Sequence, residues 1–275
     1  MTSEQPGSLT GDPDEPRGLD TSVPHISRIQ NYWRGGKDNY AADRKAAEHI
    51  MAAYPDLVHS VRANREFLAR SVAFLAGEAG IRQYLDVGTG LPAAGSVHEV
   101  AQGIAPQCRV VYVDNDPTVL THARALLTSG PLGGTEYLDA DLRDTGALLR
   151  QAQGALDFSQ PIAVILVSVL HMIEERDDPH AIVAKVMDAV PAGSFLVITH
   201  VAADLEPEAM AEMARRMNQQ VAQRATPRDR ATVARFFGEL DLVPPGVVRV
   251  PEWRPSSAEA AAAPSTQWGG VARKP

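Results

Sequence analysis

Tyr84-Leu85-Asp86-Val87-Gly88-Thr89-Gly90-Leu91-Pro92 is the stretch on which the reading of this chain turns. The apolar run Ile81 to Val87 has the composition of a buried strand and ends in a glycine turn. Beyond the turn, residues 93–104 read as a helix with Val97, Val100, Ala101 and Ile104 on one face. Strand, glycine turn and helix make the entry to a nucleotide-type pocket. Glycine lets the backbone pass close to a ligand, and a helix start offers free N–H groups. A second run, Arg109 to Val113, reads as the next strand and stops at Asp114, 26 residues beyond Gly88. At that distance a carboxylate takes the hydroxyls of a ribose in a strand-helix-strand unit.

Composition bounds the rest. A chain of 275 residues, 44% hydrophobic and 22% charged, suits one large α/β domain with a sizeable core. The formal charge of −8 leaves no basic footprint, so no nucleic-acid partner is expected. Cys108 is the one cysteine, which removes a disulfide framework and a cysteine metal cluster. The longest apolar run, Ile162 to Leu170, is too short to span a bilayer, and no membrane partner is expected. The first residues lack a basic-then-apolar signal pattern, so the expected location is cytoplasmic.

Three regions follow in order. Residues 1–21, with Pro6, Pro13 and Pro16 among polar residues, read as a disordered tail. Residues 22–80 read as an N-terminal helical lid segment, and residues 81–275 as a Rossmann-like domain. Within the lid, Asn31, Tyr32, Trp33, Asp38, Asn39 and Tyr40 surround the Gly35-Gly36 pair. This mixture of aromatic and polar groups fits a flap over a ligand. The plainer alternative is an amphipathic helix and turn packing its aromatics on the core. Residues 41–53 and 57–79 read as helices, the second with an apolar stripe that Asn64 and Arg65 interrupt, facing either the pocket or the surface.

Past the second strand, Asp116-Pro117 starts a helix through Leu127. Glu136-Tyr137-Leu138 is a short strand whose exit carries Asp141. That acid either accepts from an exocyclic amine such as adenine's or caps a helix over residues 142–151. Residues 161–169 form a β-branched run, as expected of a strand covered on both faces. It leads into Ser168 and His171, just past a carboxyl edge where ligand crevices form. His171 is a candidate general base or substrate contact, and a backbone-bonded loop histidine is the alternative. Asp178-Pro179 caps a helix to Val190. Residues 194–200 form a further strand with His200 at its pocket end. Met210, Met213 and Met217 on the helix after Glu206-Pro207 read as packing. Thr226-Pro227 caps a helix to Leu240. Residues 247–250 and 267–272 read as closing strands joined by an unstructured 255–264 loop. Alternating strands and helices make the fold class α/β, a doubly wound, mostly parallel sheet.

LDVGTG, VYVDND and YLDADLRD together resemble the class I S-adenosylmethionine-dependent methyltransferases. The resemblance implies S-adenosyl-L-methionine as cofactor. Gly88 and Gly90 would pass its methionine part, Asp114 would hold the ribose and Asp141 would read the adenine, with Asp86, Thr89, Asn115, Leu142 and Ser168 completing the contact set. IQNYWRGGKDNYAADR, RANREFL, VSVLHMI and the terminal WGGVARK extend the likeness. They resemble an actinobacterial family of predicted S-adenosyl methyltransferases formerly catalogued as a domain of unknown function. The family gives no acceptor beyond an expected small molecule. Pro92 stands where many class members carry a third glycine, so the amino-acid end of the cofactor falls to the Asn31–Tyr40 segment. The chemistry implied is in-line displacement at the sulfonium methyl. Tyr32 is first among the aromatics that would face the cation, His171 is the base for an O- or N-nucleophile, Arg65 and His200 stand near the substrate, and no metal is expected. Two other readings remain at this point. Gly88 to Ala93 also fits G-x-G-x-x-A with Asp114 suited to NAD, and a cofactor-binding regulator would keep the pocket without turnover.

Overall fold

The computed structural model describes residues 20–116, 119 and 132–275. The sheet is built from β1 (Gln83–Val87), β2 (Arg109–Asp114), β3 (Gly134–Asp139), β4 (Ala163–Val167), β5 (Phe195–Val201), β6 (Asp241–Leu242), β7 (Val248–Arg249) and β8 (Gln267–Arg273). Their order is β3-β2-β1-β4-β5-β8-β6, and β7 also pairs with β8. The first five strands run parallel, with Leu85 opposite both Val111 and Val164. β8 returns antiparallel beside β5, with Ile198 opposite Gly270. β1 has β2 on one side and β4 on the other, so the chain reverses its winding there. A crevice opens at the carboxyl ends of strands where the order reverses in this way.

The two-residue period of the strands divides the core. Leu85, Val87, Val111, Val113, Val164, Leu166, Leu196 and Ile198 face α5 (Thr145–Ala152) and α6 (Pro179–Ala189), in a cluster that also takes Val233 of α8 (Arg230–Arg235). Tyr84, Val110, Tyr112, Ala163, Ile165 and Val197 face α3 (Leu57–Gly77) and α4 (Val97–Ile104). A third cluster joins α1 (Ile26–Trp33), α2 (Ala41–Met51) and α7 (Pro207–Gln220) through Ile29, Trp33, Ala47, Ile50, Met210, Met213 and Met217. Each fully buried aliphatic or aromatic side chain contributes roughly 1.5–3 kcal/mol. A boundary at residue 80 does not follow this packing, because α3 shares the core of the sheet, while α1 and α2 rest on α7 above the strand ends.

Several element ends differ from expectation, each for a local reason. α4 starts at Val97, not at residue 93. Glu99 takes the N–H groups of Gly95 at 2.6 Å and Ser96 at 3.1 Å, which fixes the helix start there. α5 starts at Thr145 because the Asp144 carboxylate accepts from Ala147 N at 3.0 Å, so Asp141 is not its cap. α8 is capped by Asp229 rather than by Thr226-Pro227. Residues 255–264 include a short helix, α9 (Ala258–Ala261), and β6 has too few residues to leave a period in the sequence. Most of the expected 1–21 tail and of the helix from Asp116 to Leu127 lies outside the described residues.

Candidate active site

Backbone chemistry at the end of β1 builds the centre of the site. Gly88 has φ +75°, and a Cβ there would lie 2.5 Å from Val169 Cγ2, so only glycine fits. Its N–H donates to Val113 O at 2.8 Å, tying the turn to β2. Gly90, at φ +65°, donates its N–H to Asp114 Oδ2 at 2.9 Å, and Asp116 N donates to Asp114 Oδ1 at 3.0 Å. The glycine turn therefore holds the second acid in place. Burial raises the Asp114 pKa, and the two N–H groups oppose that rise. A carboxylate has about four acceptor positions. Two remain for a ligand.

Asp114 borders an outer cleft of about 380 Å³. Asn115, Asp141 and Leu142 line one side of it, Gly88, Gly90 and Ser168 the floor, and His25, Ile26 and Gln30 the roof. Asp141 accepts from Arg143 Nε at 2.9 Å and Arg143 N at 2.8 Å, and from Asn115 Nδ2 at 3.1 Å. Hydrogen bonds from Arg143, foremost, lower its pKa to about 2. Its carboxylate is at the cleft as expected but already engaged, so an amine would share it with Arg143.

Behind Gly88 lies an inner chamber of about 80 Å³, which shares Gln30, Gly88 and Ser168 with the outer cleft. Arg34, Arg65, Asp86 and Thr89 line one end, and Asn64, Ser168, His171, Met213 and Met217 the other. Arg34 donates to Gln30 Oε1 at 3.0 Å and lies over the glycine turn, 3.4 Å from where a Gly90 Cβ would be. Arg65 donates to Gly95 O at 3.1 Å. Burial, reinforced by Arg65, lowers Arg34 to about 10, and burial lowers Arg65 too. Burial raises Asp86 to about 7, against the pull of Arg65. The desolvated Arg65 guanidinium thus acts on a buried acid that is half-neutral near pH 7, and a second desolvated guanidinium, Arg34, acts on Arg65.

Ser168 sits at φ +55°, a left-handed conformation costly for a residue with a side chain. The network around it maintains that geometry. Its N–H donates to Thr199 Oγ1 at 3.0 Å, its hydroxyl donates to Gln267 Oε1 at 3.1 Å, and Asn64 Nδ2 donates to that hydroxyl at 2.9 Å. His171 follows in a 3₁₀ turn, 3% exposed, and its Nδ1 has no hydrogen-bond partner among the described residues. Burial, then Arg228, lowers its pKa to about 4, so the ring is neutral at pH 7.

Other expected site residues lie elsewhere. His200 is fully buried, with Nδ1 donating to Val201 O at 2.8 Å and Nε2 accepting from Arg228 Nη1 at 2.9 Å. It stands at the carboxyl end of β5 but lines neither cavity, because Arg228, buried beside the strand, occupies its free nitrogen. Tyr32 does not face either cavity, and its hydroxyl donates to Glu48 Oε1 at 3.0 Å. Asn39 Nδ2 donates to Asn31 Oδ1 at 2.9 Å and to Gly36 O at 2.9 Å, which makes both asparagines a turn lock. A Cβ on Gly36 would come within 2.4 Å of Asn31 Nδ2, so that lock requires glycine. Asp38 is exposed, and Tyr40 lies under the Arg28 guanidinium, 5.6 Å from its centroid. Trp33 does line the inner chamber, with Nε1 donating to Ala47 O at 3.2 Å. Ile26 and Gln30 of α1, with Arg34 at its C-cap, line the cavities as an i, i+4, i+8 series that a periodicity reading could have found.

The N-terminal segment is fastened down. Arg28 Nε donates to Asp43 Oδ2 at 2.8 Å, with side chains 4% and 0% exposed, and His25 N and Tyr40 N donate to the same carboxylate at 2.9 Å each. Among the described residues, no group of three His, Cys, Asp or Glu side chains stands where it could hold a metal ion. Among them, too, no helix is long and apolar enough to cross a membrane.

Residues 12–275 match a sequence-family model described as S-adenosyl methyltransferase. The chain belongs to this family. It is similar over 93% of its length to a DUF574 family protein of Streptomyces avermitilis, at 40% identity and a TM-score of 0.89, covering 99% of that chain. It is also similar to a methyltransferase candidate of Thermobifida fusca, at 38% identity and a TM-score of 0.85, over 96% of this chain and 99% of that one. An O-methyltransferase family structure from Burkholderia thailandensis, at 16% identity, shares the fold alone, with a TM-score of 0.53 over 92% of this chain and 64% of that one. No curated protein matches the chain. The protein is therefore a methyltransferase dependent on S-adenosyl-L-methionine, with the Rossmann-like fold of class I enzymes. The nicotinamide reading of Gly88 to Ala93 is set aside by the family. The residues present suit the cofactor: a glycine cradle that a Cβ would fill, a rim carboxylate with acceptors to spare, and guanidinium groups without an ion-pair partner among the described residues.

Proposed function

We propose that this methyltransferase binds the adenosine part of its cofactor in the outer cleft and a small-molecule acceptor in the inner chamber, where the methyl is taken by in-line displacement. The observation that carries this reading is the Asp114 carboxylate, held by the Gly90 N–H at 2.9 Å and opening on a cleft of nucleoside size. When bound, S-adenosyl-L-methionine supplies an electrophilic methyl on a sulfonium. Asp114 accepts from the ribose hydroxyls, and Asn115 with Asp141 and Leu142 borders the base. Gly88 and Gly90 leave room for the chain leading to the sulfur. Arg34, over the glycine turn, and Arg65, at the same end of the chamber, take the carboxylate of the methionine part, the function left open where Pro92 replaces a third glycine. Charge-assisted hydrogen bonds of this kind are about twice as strong as neutral ones. Residues 22–52 act as a roof that keeps water from the reacting centre, since Ile26, Gln30 and Trp33 cover both cavities.

Calorimetry with two ligands tests this arrangement. S-adenosylhomocysteine carries the amino acid and 5′-methylthioadenosine lacks it. The expected result is at least tenfold tighter binding of the first, with the difference largely lost in Arg34→Gln. Equal affinity of the wild type for both ligands would remove the role of the two arginines. No heat with either would remove the cofactor placement.

A further inference from the structure

The far end of the inner chamber has chemistry that the cofactor reading leaves unused. Asn64 is 6% exposed and His171 3% exposed, both line the chamber, and Asn64 Oδ1 and His171 Nδ1 have no hydrogen-bond partner among the described residues. Buried polar atoms without partners are costly in native structures and are normally satisfied. Neither group is loose. Asn64 is held by its amide nitrogen on Ser168 Oγ at 2.9 Å, which leaves its oxygen, an obligate acceptor, facing away from that bond. The 3₁₀ turn carrying His171 is braced from below by Arg228, whose guanidinium donates to Leu170 O at 3.0 Å and Ile173 O at 2.9 Å.

The remaining wall is apolar, made by Trp33, Leu57, Val61, Val201, Met213 and Met217. No carboxylate lines this end. Asp86 stands at the other end with Arg34 and Arg65, and Arg228 lies under the turn. A cationic acceptor would therefore meet two guanidinium groups and one half-neutral acid, the Arg228 charge being paired with Glu175 at 2.7 Å outside the chamber. An anionic acceptor would compete with the cofactor carboxylate for the same two arginines. What fits is an uncharged molecule with a hydrogen to donate and a compact apolar body.

Size narrows the class. A cavity of about 80 Å³ is roughly half the ~150 Å³ that admits a benzene ring. Part of that volume takes the cofactor carboxylate at Arg34 and Arg65, so a body of at most a few carbons fits as the chamber stands. A ring requires Met213 or Met217 to turn, which their flexible, unbranched side chains permit.

We propose that the inner chamber is the acceptor site for a small uncharged hydroxyl compound, an alcohol or a phenol, whose single hydroxyl hydrogen is donated to His171 Nδ1 or, in the other hydroxyl rotamer, to Asn64 Oδ1. This rests on the cofactor lying as described above. The hydroxyl oxygen forms its bond to the methyl carbon as the carbon–sulfur bond breaks. The electron pair stays on sulfur to give a neutral thioether, and the proton of the hydroxyl passes to His171 Nδ1 and on to water. An oxygen nucleophile needs no carboxylate partner, whereas an amine bound as its ammonium ion does.

The test is titration of the S-adenosylhomocysteine-loaded protein with n-butanol, phenol, butyrate and n-butylammonium, read by calorimetry and thermal shift. Loading is measured first, so loss of the cofactor reading shows as absent S-adenosylhomocysteine binding, and the present proposal falls with it. With loading intact, the alcohol and the phenol are expected to bind at least tenfold more tightly than the two ions. Asn64→Leu is expected to weaken them about tenfold. Val61→Phe, which fills the chamber from α3 one turn before Asn64, is expected to abolish their binding while S-adenosylhomocysteine still binds. Tighter binding of butyrate or butylammonium, absence of binding by either hydroxyl compound, or hydroxyl binding unchanged in Val61→Phe would overturn the proposal.

Discussion

Replacing Asp114 by asparagine gives the most direct test of the outer cleft. The substitution keeps the shape and removes the charge. In the wild type both carboxylate oxygens are in use by backbone, one by Gly90 N at 2.9 Å and one by Asp116 N at 3.0 Å. An amide has one acceptor oxygen, so one of those N–H groups would face an NH₂ instead. A buried donor left unsatisfied costs about 1–3 kcal/mol, and this appears as lower stability of the ligand-free protein. Separately, a hydrogen bond from a ribose hydroxyl to a charged acceptor is worth about 1.5–3 kcal/mol, and at 1.4 kcal/mol per decade its loss weakens S-adenosylhomocysteine binding roughly ten- to a hundredfold. Isothermal titration on protein shown to be folded by calorimetry separates the two effects. Because burial raises the Asp114 pKa, wild-type affinity should begin to fall with decreasing pH earlier than an exposed aspartate would require, and the asparagine variant should lack that limb. A folded Asp114→Asn protein with wild-type affinity would refute the ribose role.

Three further outcomes follow from the same geometry. Asp86 has its pKa raised from 3.8 to about 7, so between those values the folded protein holds a proton that the unfolded chain releases. Stability from this group is therefore full below about pH 4, falls as pH rises to about 7 and is level above. Asp86→Asn should flatten that slope in thermal melts of the ligand-free protein, and an unchanged slope would place the proton elsewhere. Asp43→Ala leaves Arg28 buried without its carboxylate, a loss of about 3–5 kcal/mol, which scanning calorimetry should register as a melting point lower by roughly 10 °C. Tyr32→Ala should leave S-adenosylhomocysteine affinity within twofold of wild type, because the hydroxyl is spent on Glu48 outside both cavities, and a tenfold loss would return Tyr32 to the site.

The centre of the fold was legible because its signals are local. Leu85 to Val87, the glycine turn and the acid ending β2 lie close in sequence, and their pairing follows from strand order alone. What failed to show depends on residues far away. His200 ends an apolar strand just as Ser168 follows one, yet Arg228 claims its nitrogen, and nothing near residue 200 announces that. Asp141 and Asp144 are equally good helix caps by composition, and Arg143 decides between them by folding back on the first. The aromatics of residues 31–40 drew the reading toward Tyr32, while packing on α2 and α7 turns the Gln30 and Arg34 side of the same helix to the cavities. Asn64 was visible as a break in an apolar stripe, but its partner, Ser168, is 104 positions away.

The antiparallel strand β8 carries a consequence for biosynthesis and for engineering. Until Gln267–Arg273 docks, β5 is the rim of a parallel sheet, and its run Phe195-Leu196-Val197-Ile198 offers unpaired peptide groups flanked by apolar side chains. Such a rim recruits other chains, so a protein truncated before residue 267 should self-associate rather than merely lose activity. Gln267 is also the acceptor for the Ser168 hydroxyl, so the segment that seals the sheet against aggregation also completes the floor between the two cavities.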